Sequence, residues 1–249
     1  MKKNKFILIP LLISTIFILS ACQVLPWISV ERGSGNIIAD SRPVSGFSAI
    51  QLDGAGRLII TQGAVESLEI QADDNLINDL ISDVRGGTLI LGYQEKPWRK
   101  TILPSQSVIY TLTVIDLDQL TINGAADLDL QTFEIESLEL SVNGAGTIMI
   151  DDLSAGKLSV NMAGAGSVTI SGQAVEESIS IDGAGNYRAG NLQSSNTFIE
   201  INGLGTGVVW ANETLNVNIT GAGSVSYFGS PELTQQITGL GNIERLGDK

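Results

Sequence analysis

The sequence predicts an all-β protein built as a single-stranded parallel β-helix, with coils of about 18–21 residues and one short helical insert. The first observation is a recurring glycine corner: Gly33/Gly35, Gly54/Gly56, Gly144/Gly146, Gly164/Gly166, Gly183/Gly185, Gly203/Gly205, Gly221/Gly223 and Gly239/Gly241, with a degenerate copy at Gly124-Ala125-Ala126. The steps between first glycines are 21 from Gly33 to Gly54, then 20, 20, 19, 20, 18 and 18 from Gly124 onward. A fixed period near twenty residues marks stacked, nearly identical units. The second observation is the apolar residue two places before each corner: Leu52, Ile122, Val142, Met162, Ile181, Ile201, Ile219 and Ile237. The third is period-two alternation after it, as in Leu58/Ile60, Leu128/Leu130, Ile148/Ile150 and Val168/Ile170. Together they read as strand, corner, strand. Hairpins at the corners would give a meander or propeller, and twenty residues are too few for a four-stranded blade.

In chain order, residues 1–21 read as an export signal. Lys2, Lys3 and Lys5 precede an apolar run from Phe6 to Leu19 that is too short for a comfortable membrane span. Leu19-Ser20-Ala21-Cys22 resembles the bacterial lipobox, which implies lipidation of Cys22 and a short tether over residues 22–32. Residues 33–249 then form the solenoid. Its irregular part lies between Gly54 and Gly124. There Leu76, Leu80 and Ile81 fit one face of a short helix capped by Asp74, Gly86-Gly87 reads as a corner, and a cryptic corner falls near Ser105-Gln106. About eleven corners would stack into a rod roughly 50 Å long. Before each corner stands Asp53, Asn123, Asn143, Ala163, Asp182, Asn202, Thr220 or Thr238, a column placed to form a side-chain ladder. Glycine is expected at the corners for its access to positive φ.

Composition bounds the chemistry. The chain has no histidine, which excludes Ser-His-Asp, Cys-His and His-metal sites. No corner continues into a dinucleotide or P-loop fingerprint. Cys22 is the sole cysteine. The whole chain carries a net charge of −13, and removing the signal takes three of the 14 basic residues and none of the 27 acidic ones, leaving −16. Such a surface argues against nucleic acid as partner. The acidic pairs Asp73/Asp74, Asp151/Asp152 and Glu176/Glu177 read as solvated coil edges, with calcium the alternative. Neighbours on a strand point to opposite faces and cannot form a catalytic pair. Lys96-Pro97-Trp98-Arg99-Lys100 is the one basic, aromatic spot of the mature chain, and makes Trp98 and Arg99 the candidate ligand contacts.

The stretch from Gly33 to Asn36, the run Arg42-Pro-Val-Ser-Gly-Phe-Ser-Ala-Ile50, and Gly54-Ala-Gly56 through Gln62-Gly63 resemble a bacterial family, the putative auto-transporter adhesins with a head GIN domain. Ala72 to Leu76, Gly86 to Leu89 and the later corners extend the resemblance over roughly residues 30–246. It implies a right-handed β-helix, exported or lipid-anchored, without established catalytic residues. The functional expectation is a non-enzymatic, lipid-anchored envelope protein in adhesion or surface interaction, with a glycan or surface protein as partner and no cofactor or metal. The alternatives are a polysaccharide lyase or hydrolase, using carboxylates with Lys96, Trp98 or Arg99, and a structural assembly or spacer subunit.

Overall fold

The computed structural model describes residues 29–94 and 100–249. They fall into two units. One is a two-stranded parallel ladder of β1 (Ser29–Arg32) and β8 (Lys100–Leu103). The other is a parallel β-solenoid of about six turns. Its strands are β2 (Ile37–Arg42), β3 (Ala49–Asp53), β4 (Ala55–Gln62), β5 (Ser67–Asp73), β6 (Leu80–Arg85), β7 (Thr88–Tyr93), β9 (Ile109–Val114), β10 (Gln119–Ile122) and β11 (Ala125–Val142). They continue with β12 (Ala145–Met162), β13 (Ala165–Ile181), β14 (Asn186–Ile201), β15 (Thr206–Gly221), β16 (Ser224–Phe228), β17 (Glu232–Gly239) and β18 (Asn242–Gly247).

Each long strand is one coil bent twice. In β11 burial alternates strictly until two exposed neighbours interrupt it, at Gln131–Thr132 and again at Glu136–Ser137. Pairing with β12 lapses at those places, so the chain turns there between three straight segments. β12 turns at Asp151–Asp152 and Gly156–Lys157. Inward residues stack on like residues above and below: Leu140, Val160, Ile179, Ile199 and Val217 form one such column, all buried. Burying each aliphatic side chain contributes about 1.5–3 kcal/mol.

The stacking order departs from the chain order at the start. β3 lies between β7 and β10, and β4 between β9 and β11. The gap of 70 residues between Gly54 and Gly124 therefore closes to direct contact, with Asn123 N donating to Leu52 O and Ala125 N to Gly54 O, both at 2.9 Å. β5, β6, β7 and β9 form an excursion that builds the coil beyond β3 and β4 before the chain returns at β10.

That excursion also closes one end of the sheet. β6 runs antiparallel on β7, and β5 runs antiparallel on β9 with β2 beyond it. Gly86 and Gly87, at φ of 57° and 80°, form the tight turn of the β6–β7 hairpin. They are not a coil corner, nor is Ser105, whose backbone N–H and Oγ bind the Asp73 carboxylate. The in-register column before the corner runs from Gly92, opposite Asp53, to Thr238, opposite Thr220, so the stack is shorter than eleven coils.

The helical insert reduces to a three-residue 3-10 helix, Ile77–Asp79. Leu76, Ile77 and Leu80 are buried, but β6 claims Ile81. Asp74 binds Ser34 and Asn36 instead of capping a helix. Arg42 takes up two of the local carbonyls, donating from its guanidinium to Leu80 O and Ile77 O at 2.6 and 2.7 Å.

Candidate functional site

The corners stack glycine on glycine. A Cβ on Gly124, Gly144 or Gly164 would lie 1.8 Å from the carbonyl oxygen of Gly54, Gly124 or Gly144 respectively. Gly183, Gly203, Gly221 and Gly239 meet the glycine of the preceding coil in the same way, at 2.2–2.6 Å. In this column only Gly54, Gly221 and Gly239 hold φ between 131° and 138°, in the region that favours glycine. Close approach of backbone to backbone, more than dihedral freedom, is what demands the residue. The second glycine serves packing: a Cβ on Gly205 or Gly223 would strike Ile181 or Ile201 at 2.7 and 2.8 Å. Gly185 and Gly241 face Met162 and Ile237 at 2.8 Å, whereas Gly146 and Gly166 face the carbonyls of Ala126 and Gly146, and Gly56 packs on Tyr110 and Val108. Gly33 and Gly35 lie outside the column. They flank the buried Asp73, which accepts from Gly35 N at 2.8 Å.

Beside the glycines the polar column forms hydrogen bonds from coil to coil. Asn143 Nδ2 donates to Asn123 Oδ1 at 2.9 Å, and Asn123 Nδ2 to Asp53 Oδ1 at 2.7 Å. Ala163 interrupts the ladder, which resumes with Asn202 Nδ2 donating to Asp182 Oδ1 at 2.9 Å. The segment before the corner is polar on its outer side, with Ser141, Asn161, Ser180, Glu200, Asn218 and Gln236 in one column.

Two of the acidic pairs place a carboxylate in the interior, not at a solvated edge. Burial pushes Asp73 up, but hydrogen bonds from Ser105 Oγ and N and from Gly35 N outweigh it and hold the carboxyl below its ordinary value. Glu177 is only 2% exposed and stands in an inward column between Leu158 and Thr197, with Leu215 one coil further on. Its carboxyl accepts from Tyr187 Oη at 2.7 Å and lies 3.0 Å from both Ser194 Oγ and Thr197 Oγ1. Tyr187 crosses the interior to reach it, in register with the side-chain-free Gly207. Burial raises the Glu177 carboxyl to about 7, against the hydrogen bonds from Tyr187, Thr197 and Ser194, which lower it. Ser194 Oγ also lies 2.5 Å from Thr197 Oγ1 and donates to Trp210 O at 3.0 Å.

Sequence reasoning missed this cluster, although a signal was present. Glu177 follows Gly164 by 13 residues, as Leu138 and Leu158 follow their corners by 14, which assigns it inward. The turn pair is Val175–Glu176, and Val175 is exposed. Cys22, Trp98 and Arg99 lie outside the described residues. Among the described residues no group of three or more acidic, cysteine or histidine side chains could hold a metal ion.

Opposite the buried Glu177 and Thr197, on the outer side of the same segment, Phe198 is 43% exposed. Ser178 and Asn216 stand in register on either side of it. It borders a depression of about 230 Å³ lined also by Lys157, Glu176, Asn196 and Thr214.

With the coil geometry in view, comparison with known proteins decides the family. The family model for the putative auto-transporter adhesin, head GIN domain, matches residues 46–231. The chain belongs to this family. Among solved structures, a putative adhesin from Bacteroides fragilis NCTC 9343 is similar with a TM-score of 0.80 and 26% identity, over 87% of this chain and all of that one. A putative adhesin from Parabacteroides merdae ATCC 43184 shares the fold at TM-score 0.65 and 20% identity, over 88% of this chain and 99% of that one. A putative lipid binding protein from Parabacteroides distasonis ATCC 8503 does so at TM-score 0.64 and 20% identity, over 88% of this chain and all of that one. No curated protein matches the chain. Among the described residues no helix is long and apolar enough to cross a membrane.

Proposed function

We propose that this head GIN domain protein is a non-enzymatic component of the bacterial envelope, anchored by lipid on Cys22, whose solenoid makes adhesive contacts outside the membrane. Membership of an adhesin head family over residues 46–231 carries the reading. The signal and lipobox-like ending at residues 1–22 support the anchor. The outward Ser, Thr and Asn columns suit contact with glycans or protein surfaces. A carbohydrate-cleaving enzyme is disfavoured at Glu177, which is buried and ringed by hydroxyl groups, whereas glycoside cleavage needs two carboxyls facing a cleft.

Two measurements test the proposal. Metabolic labelling with a clickable fatty acid should mark the full chain and not Cys22→Ala, and the variant should no longer sediment with membranes. Equal labelling of both would remove the anchor. Cells displaying the full chain should adhere to glycan- or protein-coated surfaces more than cells without it. Equal adherence on every surface would overturn the adhesive role.

A further inference from the structure

We infer that the outer face around Phe198 is a binding site for a neutral, linear glycan, with the Phe198 ring as the stacking platform. This rests on the adhesive reading above and gives it a location and a ligand class.

The inference starts from what surrounds the ring. Phe198 is the one aromatic side chain among the large exposed hydrophobics of the described residues. Its neighbours across the sheet are Ser178 and Asn216, and along its own strand Asn196 and Glu200 are the next outward positions. An aromatic anchor for a protein partner sits within an apolar surround that excludes water. Here the surround is polar: hydroxyls and amides across the sheet, with Glu176, Glu200 and Lys157 nearby. That combination fits a sugar ring, which offers an apolar C–H face for the phenyl group and equatorial hydroxyls for the polar groups beside it.

Regular spacing extends the site along the solenoid. Coils repeat about every 4.8 Å, the ordinary spacing between strands. The Phe198 column runs Ser159, Ser178, Phe198, Asn216 and Thr234, and the next outward column Asn161, Ser180, Glu200, Asn218 and Gln236. A ligand lying along the stack meets a neutral donor or acceptor at nearly every coil, as an extended polymer would require. Thr214 Oγ1 donates to Asn196 Oδ1 at 2.7 Å, so the Asn196 amide already ties two coils together beside the ring.

Charge selects the class of glycan. The mature domain is strongly acidic, and Glu176 and Glu200 flank the ring with Lys157 as the cation at the depression. A polyanionic glycan would face net repulsion there, whereas an uncharged one would not.

The test uses the full-length chain in detergent, with cellohexaose, mannohexaose and chitohexaose as neutral probes and hexagalacturonate as the anionic one. Calorimetric titration should give saturable binding of at least one neutral probe and weaker or no binding of the anionic one. Phe198→Ala should weaken the neutral interaction about tenfold, the scale of an aromatic stacking contact. Phe198→Tyr, which keeps the platform, should stay within about threefold. Because Phe198 is exposed, both variants should keep the wild-type circular dichroism spectrum. The inference is overturned if no neutral probe binds, if hexagalacturonate binds as well as they do, or if Phe198→Ala is unchanged. Cells that adhere to protein-coated surfaces while the chain binds no neutral probe would keep the adhesive reading and remove this one. Phe198-dependent glycan binding without any cell adherence would do the reverse.

Discussion

At the scale of single residues, Glu177 is where the solenoid departs from its own repeat. Its carboxyl is raised to about 7 by burial, above the 4.5 of an exposed glutamate. Between these two values the folded chain holds a proton that the unfolded chain has released. Stability therefore falls as pH rises from about 4.5 to about 7, and levels off above the folded value. The shift corresponds to about 3 kcal/mol across that window. Glu177→Gln keeps the hydrogen-bonding shape without the ionisation. Urea denaturation of this variant should show a flatter pH profile from 4.5 to 7 and a higher midpoint than wild type at pH 8. An unchanged profile would mean that Glu177 is not the titrating group.

The element that makes the stack is the glycine corner, and its two kinds of glycine should respond differently to substitution. At Gly144 a methyl group would be driven to within 1.8 Å of the Gly124 carbonyl oxygen, a backbone atom that cannot swing aside. Gly144→Ala should cost about 3 kcal/mol or more, read as a drop in the urea midpoint. Gly35, at φ +85° with no heavy atom in the path of a Cβ, should cost only about 1–2 kcal/mol as alanine. The corners were legible because they are local, since a period, an apolar residue before it and alternation after it can be counted along the chain. The reason for the glycine was less legible. Positive φ is a property of one residue, but most of the column needs glycine because another coil's backbone lies against it.

Across the whole molecule the two ends of the solenoid are built differently. At one end antiparallel strands cover the sheet, with β6 on β7 and β5 and β2 on β9. In the coil of β17 and β18 the inward columns change character: Gln235 follows Val217, and Arg245 follows Tyr227. Polar residues at inward positions are how a repeat array closes a coil against water. Arg245 binds Gly229 O, Ser230 and Asp248 there, and Lys249 reaches across to Gly190 O and Asn191, 4.6 Å from the Phe228 ring centre. Amide hydrogen exchange should accordingly be graded, slowest in the buried segments of β11–β15 and fastest in β17 and β18. Uniform protection along the stack would contradict this account.

The coil is written along the chain: its length, its inward columns and its corners are patterns of neighbours, and short-range pattern is what a sequence displays. The coils from Gly124 to Gly239 could be stacked in order from that pattern alone. That the segment of β3 and β4 lies between strands that follow it in the chain emerges only on folding, because parallel strands match by face and register and carry no mark of chain order. Tertiary contact likewise shortened the expected helix to the 3-10 turn Ile77–Asp79, since from Leu80 the chain meets an open sheet edge whose backbone groups need partners more than a short isolated helix could supply. The same holds for Glu177, whose place is set by the coil phase but whose hydroxyl partners come from other strands and other coils, a meeting no local pattern encodes.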